Sequence, residues 1–468
     1  MPSNSVAEIW TPSVIAPQHA SVVAVDDAAN DSAVVWHYGH VHLPRAGWGV
    51  LGVRTVSPRY ATGGGDGSLL ISIEVGPGTH SFVADAAIAS SHSRPRLKTP
   101  DEEAPLPRLY SAVATRVNGA RPIISSHDAG SGPGYHTARS TFTFNFNPTL
   151  LTLPNGTQAL LVRCSNGTNA STASTKANPD YLALAKIHHV GSDGLVVVDD
   201  LTDASIAVVP EANAAENRGV QDPRVMQDLD TGTYWLAIST YGDSGVGLAI
   251  ARSQDGLQWE TVKHCSGVAD GCGKSGTILY HNASHHYMFW GPGAVNVAVS
   301  SDYMNWTTMN STAAFGRKNW LTGETLVSGS DVGRGIWAEP GPTPQRLSDG
   351  NYFFVVIEAG VPAGHAPCPR VDPNGQKGGY WGAGWVILDG KDPTKILQHK
   401  TRLLFATTEW EVNSTTGSGG AWEMHVCCIG ATNAIAPVPG EVDTFMIYYG
   451  AGDAVTGAAK VVVKVPGG

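Results

Sequence analysis

The sequence predicts an all-β chain folded as a five-bladed β-propeller, and three observations predict it. A unit of alternating strand, Ser-x-Asp turn and closing tryptophan occurs twice, in "VGLAIARSQDGLQW" ending at Trp259 and "VNVAVSSDYMNW" ending at Trp306, at a spacing that suits one propeller blade. Each copy follows another strand-forming segment, "TYWLAIST" and "HYMFWGPG", so the full unit reads strand, turn, strand, turn, tryptophan. The third observation is compositional: 55 glycines and 29 prolines punctuate 468 residues, and no long amphipathic helical pattern accompanies them.

Taken in chain order, residues 1–45 form an N-terminal extension with no assigned role. The propeller, read as the catalytic domain, spans 46–468. Up to about residue 130 the alternating segments "GSLLISIEVGPG", "HSFVADAAIAS" and "LYSAVATRVNG" are expected to complete blades where the ring closes. "TQALLVRCSNG" with "YLALAKIHHVGSDGL" is the first hairpin, and the two Trp-closed units are the second and third. "GNYFFVVIEAG" with "GYWGAGWVILDG" is the fourth, and "DTFMIYYGAGDAVTGAAKVVVKV" is the fifth. Length alone suggests about three domains, but closing a ring requires the whole span.

Composition removes several classes of function. With 30 Lys+Arg against 40 Asp+Glu the net charge is -10, and no basic run interrupts the chain, so nucleic acid is not an expected partner. No apolar segment reaches the roughly 18 residues of a membrane helix, and no membrane partner is expected. Residues 1–20 lack a leader pattern. Asn-x-Ser/Thr triplets occur at Asn30, Asn155, Asn166, Asn169, Asn282, Asn305, Asn310 and Asn413, which leans towards a secreted protein whose signal peptide is not in this chain. Cys265 and Cys272 flank a short Gly-rich loop and could close a disulfide, while Cys164, Cys368, Cys427 and Cys428 allow several pairings. His37, His40 and His42 in "WHYGHVH" have no cysteine or acid at ligand spacing, so neither a metal nor any other cofactor is expected.

Propeller geometry then selects candidate site residues. The innermost strand of every blade lines the central channel, so residues at equivalent strand ends converge although they are far apart in sequence. Those ends carry Asn147 in "FNFNPTL", Arg163 in "LLVRCSNG", Asp222 and Arg224 in "VQDPRV", Lys274 in "CGKSGTILY", Glu339 in "WAEPGPTP" and Asp453 in "YYGAGD". Carboxylates flanked by cations and an amide suit a polyhydroxylated substrate such as an oligosaccharide. "GCGKSG" is not a phosphate loop, because Val268 stands where the first glycine belongs and a strand pattern follows it. "YATGGGDGS" reads as a Gly-rich loop. Trp259 and Trp306 recur with the blade and are expected to pack, whereas Trp290, Trp337 and Trp381 stand beside motif residues and are candidates for sugar stacking.

The ordered set "FNPT", "VQDPRV", "KSGTIL", "AEPGPTP", "ILDGKDPTKIL" and "YYGAGDAVTGAA" resembles glycoside hydrolase family 130, five-bladed propellers that act on β-mannosides; the resemblance covers about residues 140–465. It implies that Asp222 is the general acid, that Asn147, Arg163 and Asp453 hold the mannosyl unit, and that Arg224 orients the acid or the sugar. The family contains phosphorylases and hydrolases, and Glu339-Pro340-Gly341-Pro342 is similar to the hydrolase branch. Physical reasoning points the same way: an ionised glutamate beside the reacting carbon repels a phosphate dianion and can deprotonate water, as an inverting hydrolase requires. Pro292 in "FWGPG" departs from that branch, whose members carry a second glutamate there, leaving Glu339 as the sole base. A β-mannoside phosphorylase and a catalytically silent glycan-binding propeller stay open as alternatives.

Overall fold

The computed structural model describes residues 109–126, 131–167, 173–191, 194–265, 270–291, 295–309, 337–360, 380–412, 427–429 and 432–466, together with six short strands before residue 85. The chain forms two compact units, Met1–Ala104 and Pro105–Gly468. In the first, Ala24–Asp26 pairs with Val34–Trp36, His40–Leu43 with Gly47–Val50, and Leu69–Glu74 with Thr79–Ala84, all antiparallel. The side chains of His37, His40, His42, Trp337, Cys427 and Cys428 lie outside the described residues, as do Pro292 and Cys368.

The second unit is a five-bladed propeller. Blade 1 runs outward from Phe144–Thr152 through Gln158–Ser165 to Tyr181–Val190, with Val196–Val198 and Ile206–Val208 on its rim. Blade 2 is Gly219–Gln227, Tyr234–Gly242, Gly245–Ser253 and Glu260–Cys265. Blade 3 is Thr277–Asn282, His285–Trp290, Asn296–Ser300 and Thr307–Thr308. Blade 4 starts with Trp337–Pro340 and Gln345–Arg346, then adds Tyr352–Gly360, Tyr380–Leu388 and Ile396–Phe405. Blade 5 is Ala434–Pro437, Thr444–Ala451 and Val455–Lys464. Its outer strand is Ser111–Arg116, which pairs with Val455–Lys464, so an early segment closes the ring against the last strand.

Both faces of each blade are apolar because each blade is sandwiched between two others. Successive residues of a strand point to opposite faces. Leu160 and Val162 therefore join the cluster between blades 5 and 1, while Leu161 between them joins the cluster shared with blade 2. Phe354 and Val356 face blade 3, and Phe353 and Val355 face blade 5. A further cluster, with Trp235, Ile250, Met288 and Trp306, joins blades 2 and 3. This is why the central strands read as continuous hydrophobic runs such as "QALLVRC" and "YFFVVIE". Each fully buried Leu or Phe contributes roughly 1.5–3 kcal/mol.

The Ser-x-Asp turns are built alike. Ser253 donates to Asp255, which accepts the Leu257 and Gln258 N–H groups; Ser300 donates to Asp302, which accepts those of Met304 and Asn305. Trp306 is buried and its indole donates to the Tyr303 carbonyl, while Trp259 packs on the cluster of blades 1 and 2. Cys265 and Cys272 form a disulfide, and Cys164 is a buried free thiol. Among the described residues no helix is long and apolar enough to cross a membrane.

Candidate functional site

The inner strands of blades 1 and 2 each break their ladder at one point. Pairing shifts between Phe146 and Thr149 in blade 1 and between Gln221 and Arg224 in blade 2. Asn147 and Asp222 occupy those bulges with φ of 49° and 48°, each followed by a proline that has no N–H to offer the ladder. Left-handed backbone costs a residue with a Cβ about 1–2 kcal/mol, and Asn and Asp accept it more readily than most. The bulge turns each side chain out of the blade, which is the physical reason for an acid before proline at this point of the strand. Ser275, ahead of the inner strand of blade 3, and Asp453, in the turn after Thr444–Ala451, have φ of 62° and 51°.

These re-aimed side chains meet. The Asn147 amide donates to Asp222 Oδ1 at 2.7 Å. Arg163, from the second strand of blade 1, donates to the same oxygen at 3.1 Å and to Asp180 Oδ2 through Nε at 3.0 Å, and its guanidinium lies over the Phe146 ring. Arg224 is 1% exposed and reaches across to blade 4: its guanidinium donates to the carbonyls of Pro340 at 2.8 Å and Gly341 at 3.1 Å, and to that of Asp222 at 2.9 Å. Glu339, also buried, accepts the Ser275 hydroxyl at 2.8 Å, and Lys274 Nζ lies 3.8 Å from its other oxygen. Arg224 thus couples the Asp-Pro-Arg bulge to the Glu-Pro-Gly segment through backbone carbonyls.

The charges divide the carboxylates. Burial pushes Asp222 up, but Arg163, Lys274, Arg224 and the Asn147 amide outweigh it and hold the carboxyl down to about 2. Half-buried Asp453 goes the other way: burial and the neighbouring charges of Asp222 and Asp180 outweigh Arg163 and Lys274 and lift it to about 6. Arg163 is raised, because Asp180, Asp222 and Asp453 outweigh the burial that disfavours its charge. In the free site Asp222 is therefore ionised at neutral pH, and Asp453 is the carboxyl that titrates near physiological pH.

All seven residues singled out from the sequence, Asn147, Arg163, Asp222, Arg224, Lys274, Glu339 and Asp453, are linked by these contacts and fields. Four others join them. Asp180, fully buried, gathers Arg163, Ser174 at 2.8 Å and Gln221 at 2.7 Å on its Oδ2. "ANPDYLALAK" carries no signal for this beyond an acid at a strand start. Ser275 was legible in principle, since Asn-Pro-Thr, Asp-Pro-Arg and Ser-Gly-Thr stand at matching places on three inner strands. Trp290 is 5% exposed within the core of blades 2 and 3 and is not a stacking platform in this conformation. A separate cavity of about 410 Å³ lies at the far ends of the inner strands, lined by Thr152, Gln227, His281, Arg346 and Pro437 among others, and shares none of the seven residues.

No family model matches the chain, and no curated protein matches it. Solved structures do. A presumed glycosidase from Bacteroides thetaiotaomicron VPI-5482 superposes with a TM-score of 0.51 at 20% identity, over 74% of this chain and 96% of the other. A structure from work on the GH130 family, described as mannoside phosphorylases that include glycoside hydrolases targeting β-1,2-mannosidic linkages in Candida mannan, superposes with a TM-score of 0.50 at 19% identity, over 74% and 93%. Members of glycoside hydrolase family 130 are thus among the structural neighbours of this chain, and at these identities the likeness is one of fold.

Proposed function

We propose that the chain is a glycoside-processing enzyme that cleaves β-linked mannosides by hydrolysis with inversion, without metal or organic cofactor. The observation that carries this reading is the Asp222–Arg224–Pro340 connection: two buried carboxylates, Asp222 and Glu339, belong to segments joined by one guanidinium at the channel. In this reading Asp222 serves as the general acid at the leaving oxygen, through a sugar hydroxyl, and Glu339 activates water on the opposite face. The Ser275 hydroxyl and Lys274 orient Glu339 as a base. Asn147, Arg163 and Asp453 hold the sugar.

The low value of Asp222 sets a condition on this mechanism. An acid ionised in the free site must gain its proton in the complex. A neutral sugar inserted against Asn147 and Arg163 weakens their hold on the carboxylate and raises it towards the working range of an acid.

Phosphorolysis is the competing reading, and Lys274 is the observation that favours it, being a partly exposed cation beside Glu339. The test is turnover of β-mannosides with and without phosphate, with products separated by chromatography. Hydrolysis predicts free mannose in phosphate-free buffer and no mannose 1-phosphate when phosphate is added. Turnover that requires phosphate would replace this reading with the phosphorylase, and binding without turnover in either buffer would leave a glycan-binding propeller. Secretion is part of the proposal through the Asn-x-Ser/Thr triplets, of which Asn155, Asn166, Asn282 and Asn305 are exposed.

A further inference from the structure

We propose that Glu211, Glu216 and His264 form a divalent-cation site of zinc-preferring chemistry on the outer side of blade 2. Each offers one ligand atom, and the three atoms lie within 4.8 Å of one another. His264 is in the outer strand Glu260–Cys265, immediately before the Cys265–Cys272 disulfide. The two glutamates are on the segment that leads into the inner strand Gly219–Gln227, which delivers Asp222.

Glu216 carries the argument. It is 2% exposed, and its Oε2 accepts the Glu211 N–H at 2.9 Å. Its Oε1 is buried with no hydrogen-bond partner and lies 3.6 Å from His264 Nδ1. A buried acceptor left without a donor costs on the order of 1–3 kcal/mol, so this oxygen calls for a positive partner. Two ligand atoms on one tetrahedral zinc, each about 2.0–2.2 Å from the metal, stand roughly 3.3–3.5 Å apart. The Glu216–His264 separation is close to that spacing, longer than a hydrogen bond and short enough for an ion between them.

The third ligand is Glu211, which is exposed and has Oε2 3.9 Å from His264 Nε2. With one atom taken from each residue, the three candidate ligand atoms still lie within 4.8 Å of one another. The Asn213 amide donates to it at 2.7 Å, the kind of outer partner that orients a ligating carboxylate. The backbone is held in place: Asn213 Oδ1 accepts the N–H groups of Ala215 and Glu216, and Ser244 donates to the Ala214 carbonyl. One imidazole with two carboxylates suits zinc better than magnesium or calcium, which prefer oxygen alone. Two negative charges match a divalent ion. A cation here ties the rim of blade 2 to the segment feeding its inner strand, and is remote in role from the chemistry proposed for Asp222.

The rival arrangement is a bare ion pair with protonated His264. The full chain, stripped with a chelator, is titrated with zinc and separately with magnesium, following heat by calorimetry and unfolding by melting. The site predicts uptake of zinc with a rise in melting temperature, as ligand binding to the folded state requires. His264→Gln and Glu211→Gln, both exposed positions, should keep the metal-free melting temperature and weaken zinc at least about tenfold. Absence of a zinc response in the wild type, or an equal response in both variants, overturns the site. A magnesium response as large as that of zinc overturns its assigned chemistry.

Discussion

Asp222 and Asp453 share Arg163 and Lys274 as neighbouring cations yet titrate in opposite directions, and each direction makes a prediction. Asp222→Asn keeps the left-handed backbone, since Asn tolerates φ near 48°, and keeps an oxygen that accepts from Asn147 and Arg163. It removes the proton. The expected outcome is turnover of β-mannosides lowered by about 10² or more, with stability at neutral pH lowered by what the ionised carboxylate contributes, on the order of 1–3 kcal/mol; full activity in this variant would remove Asp222 from the mechanism. Asp453, lifted to about 6, bears its charge less easily folded than unfolded, where a carboxyl titrates near about 3.9. Its contribution to stability is therefore complete below about pH 4 and is lost as pH rises through about 6. Asp222, held at about 2, contributes in the reverse sense, with stability present above about pH 4 and lost as pH falls towards 2. Melts between pH 4.5 and 7.5 should show Asp453→Asn flattening the fall in stability by on the order of 1–3 kcal/mol. A variant that follows the wild-type pH curve contradicts that account.

At the level of the strand, the bulges and one glycine position the site. A Cβ placed on Gly450, in the strand Thr444–Ala451, would stand 2.0 Å from Asn147 Oδ1 and 2.7 Å from its backbone nitrogen. Neither can move away without disturbing the hydrogen bond from Asn147 to Asp222. Gly450→Ala is expected to cost about 1–3 kcal/mol, as overpacking does, and to lower turnover together with stability. A kinetically silent Gly450→Ala would show that the Asn147 contact is dispensable. The strands themselves were legible beforehand, because hydrophobic runs bounded by Gly, Pro and Asx turns leave little choice of element. The two bulges were legible only as punctuation: Asp-Pro and Asn-Pro signal a break in the ladder, but not that the break aims a carboxylate at an amide from the neighbouring blade.

Closure of the ring is the property of the whole molecule. Ser111–Arg116 completes blade 5, and Arg116 is clamped to fully buried Glu411 at 2.7 and 2.8 Å, with Tyr449 donating to the same carboxylate at 2.9 Å. Thr407 and Thr408 add backbone donors to it. Arg116→Ala leaves a buried carboxylate short of its cation, which typically costs about 3–5 kcal/mol. Because that clamp ties the closing strand to the Glu409–Val412 helical turn between blades 4 and 5, with Tyr449 of blade 5 on the same carboxylate, urea unfolding should shift its midpoint while remaining one transition. A new early transition confined to blade 5 would instead mean that closure is not what unites the ring. Of the alternating segments upstream of residue 130, "LYSAVATRVNG" supplies this closing strand, whereas Leu69–Glu74 and Thr79–Ala84 pair with each other in the first unit.

Local pattern sufficed for the blades, the Ser-x-Asp turns, the Cys265–Cys272 bridge and the candidate polar residues, since each depends on neighbours a few positions away: alternation, turn chemistry or a short loop. Tertiary structure alone decided which of those residues touch. Asp180 and Arg163 are 17 positions apart, Asn147 and Asp222 are 75, and Arg224 and Pro340 are 116. No local signal encodes a contact across such separations, because it arises only when the blades close around a common channel. The electrostatic outcome is of the same kind. Two aspartates in equally turn-like sequence end at about 2 and about 6, because burial acts on both, but Asp222 also has Arg224 and the Asn147 amide to hold its charge while Asp453 also faces the charges of Asp222 and Asp180.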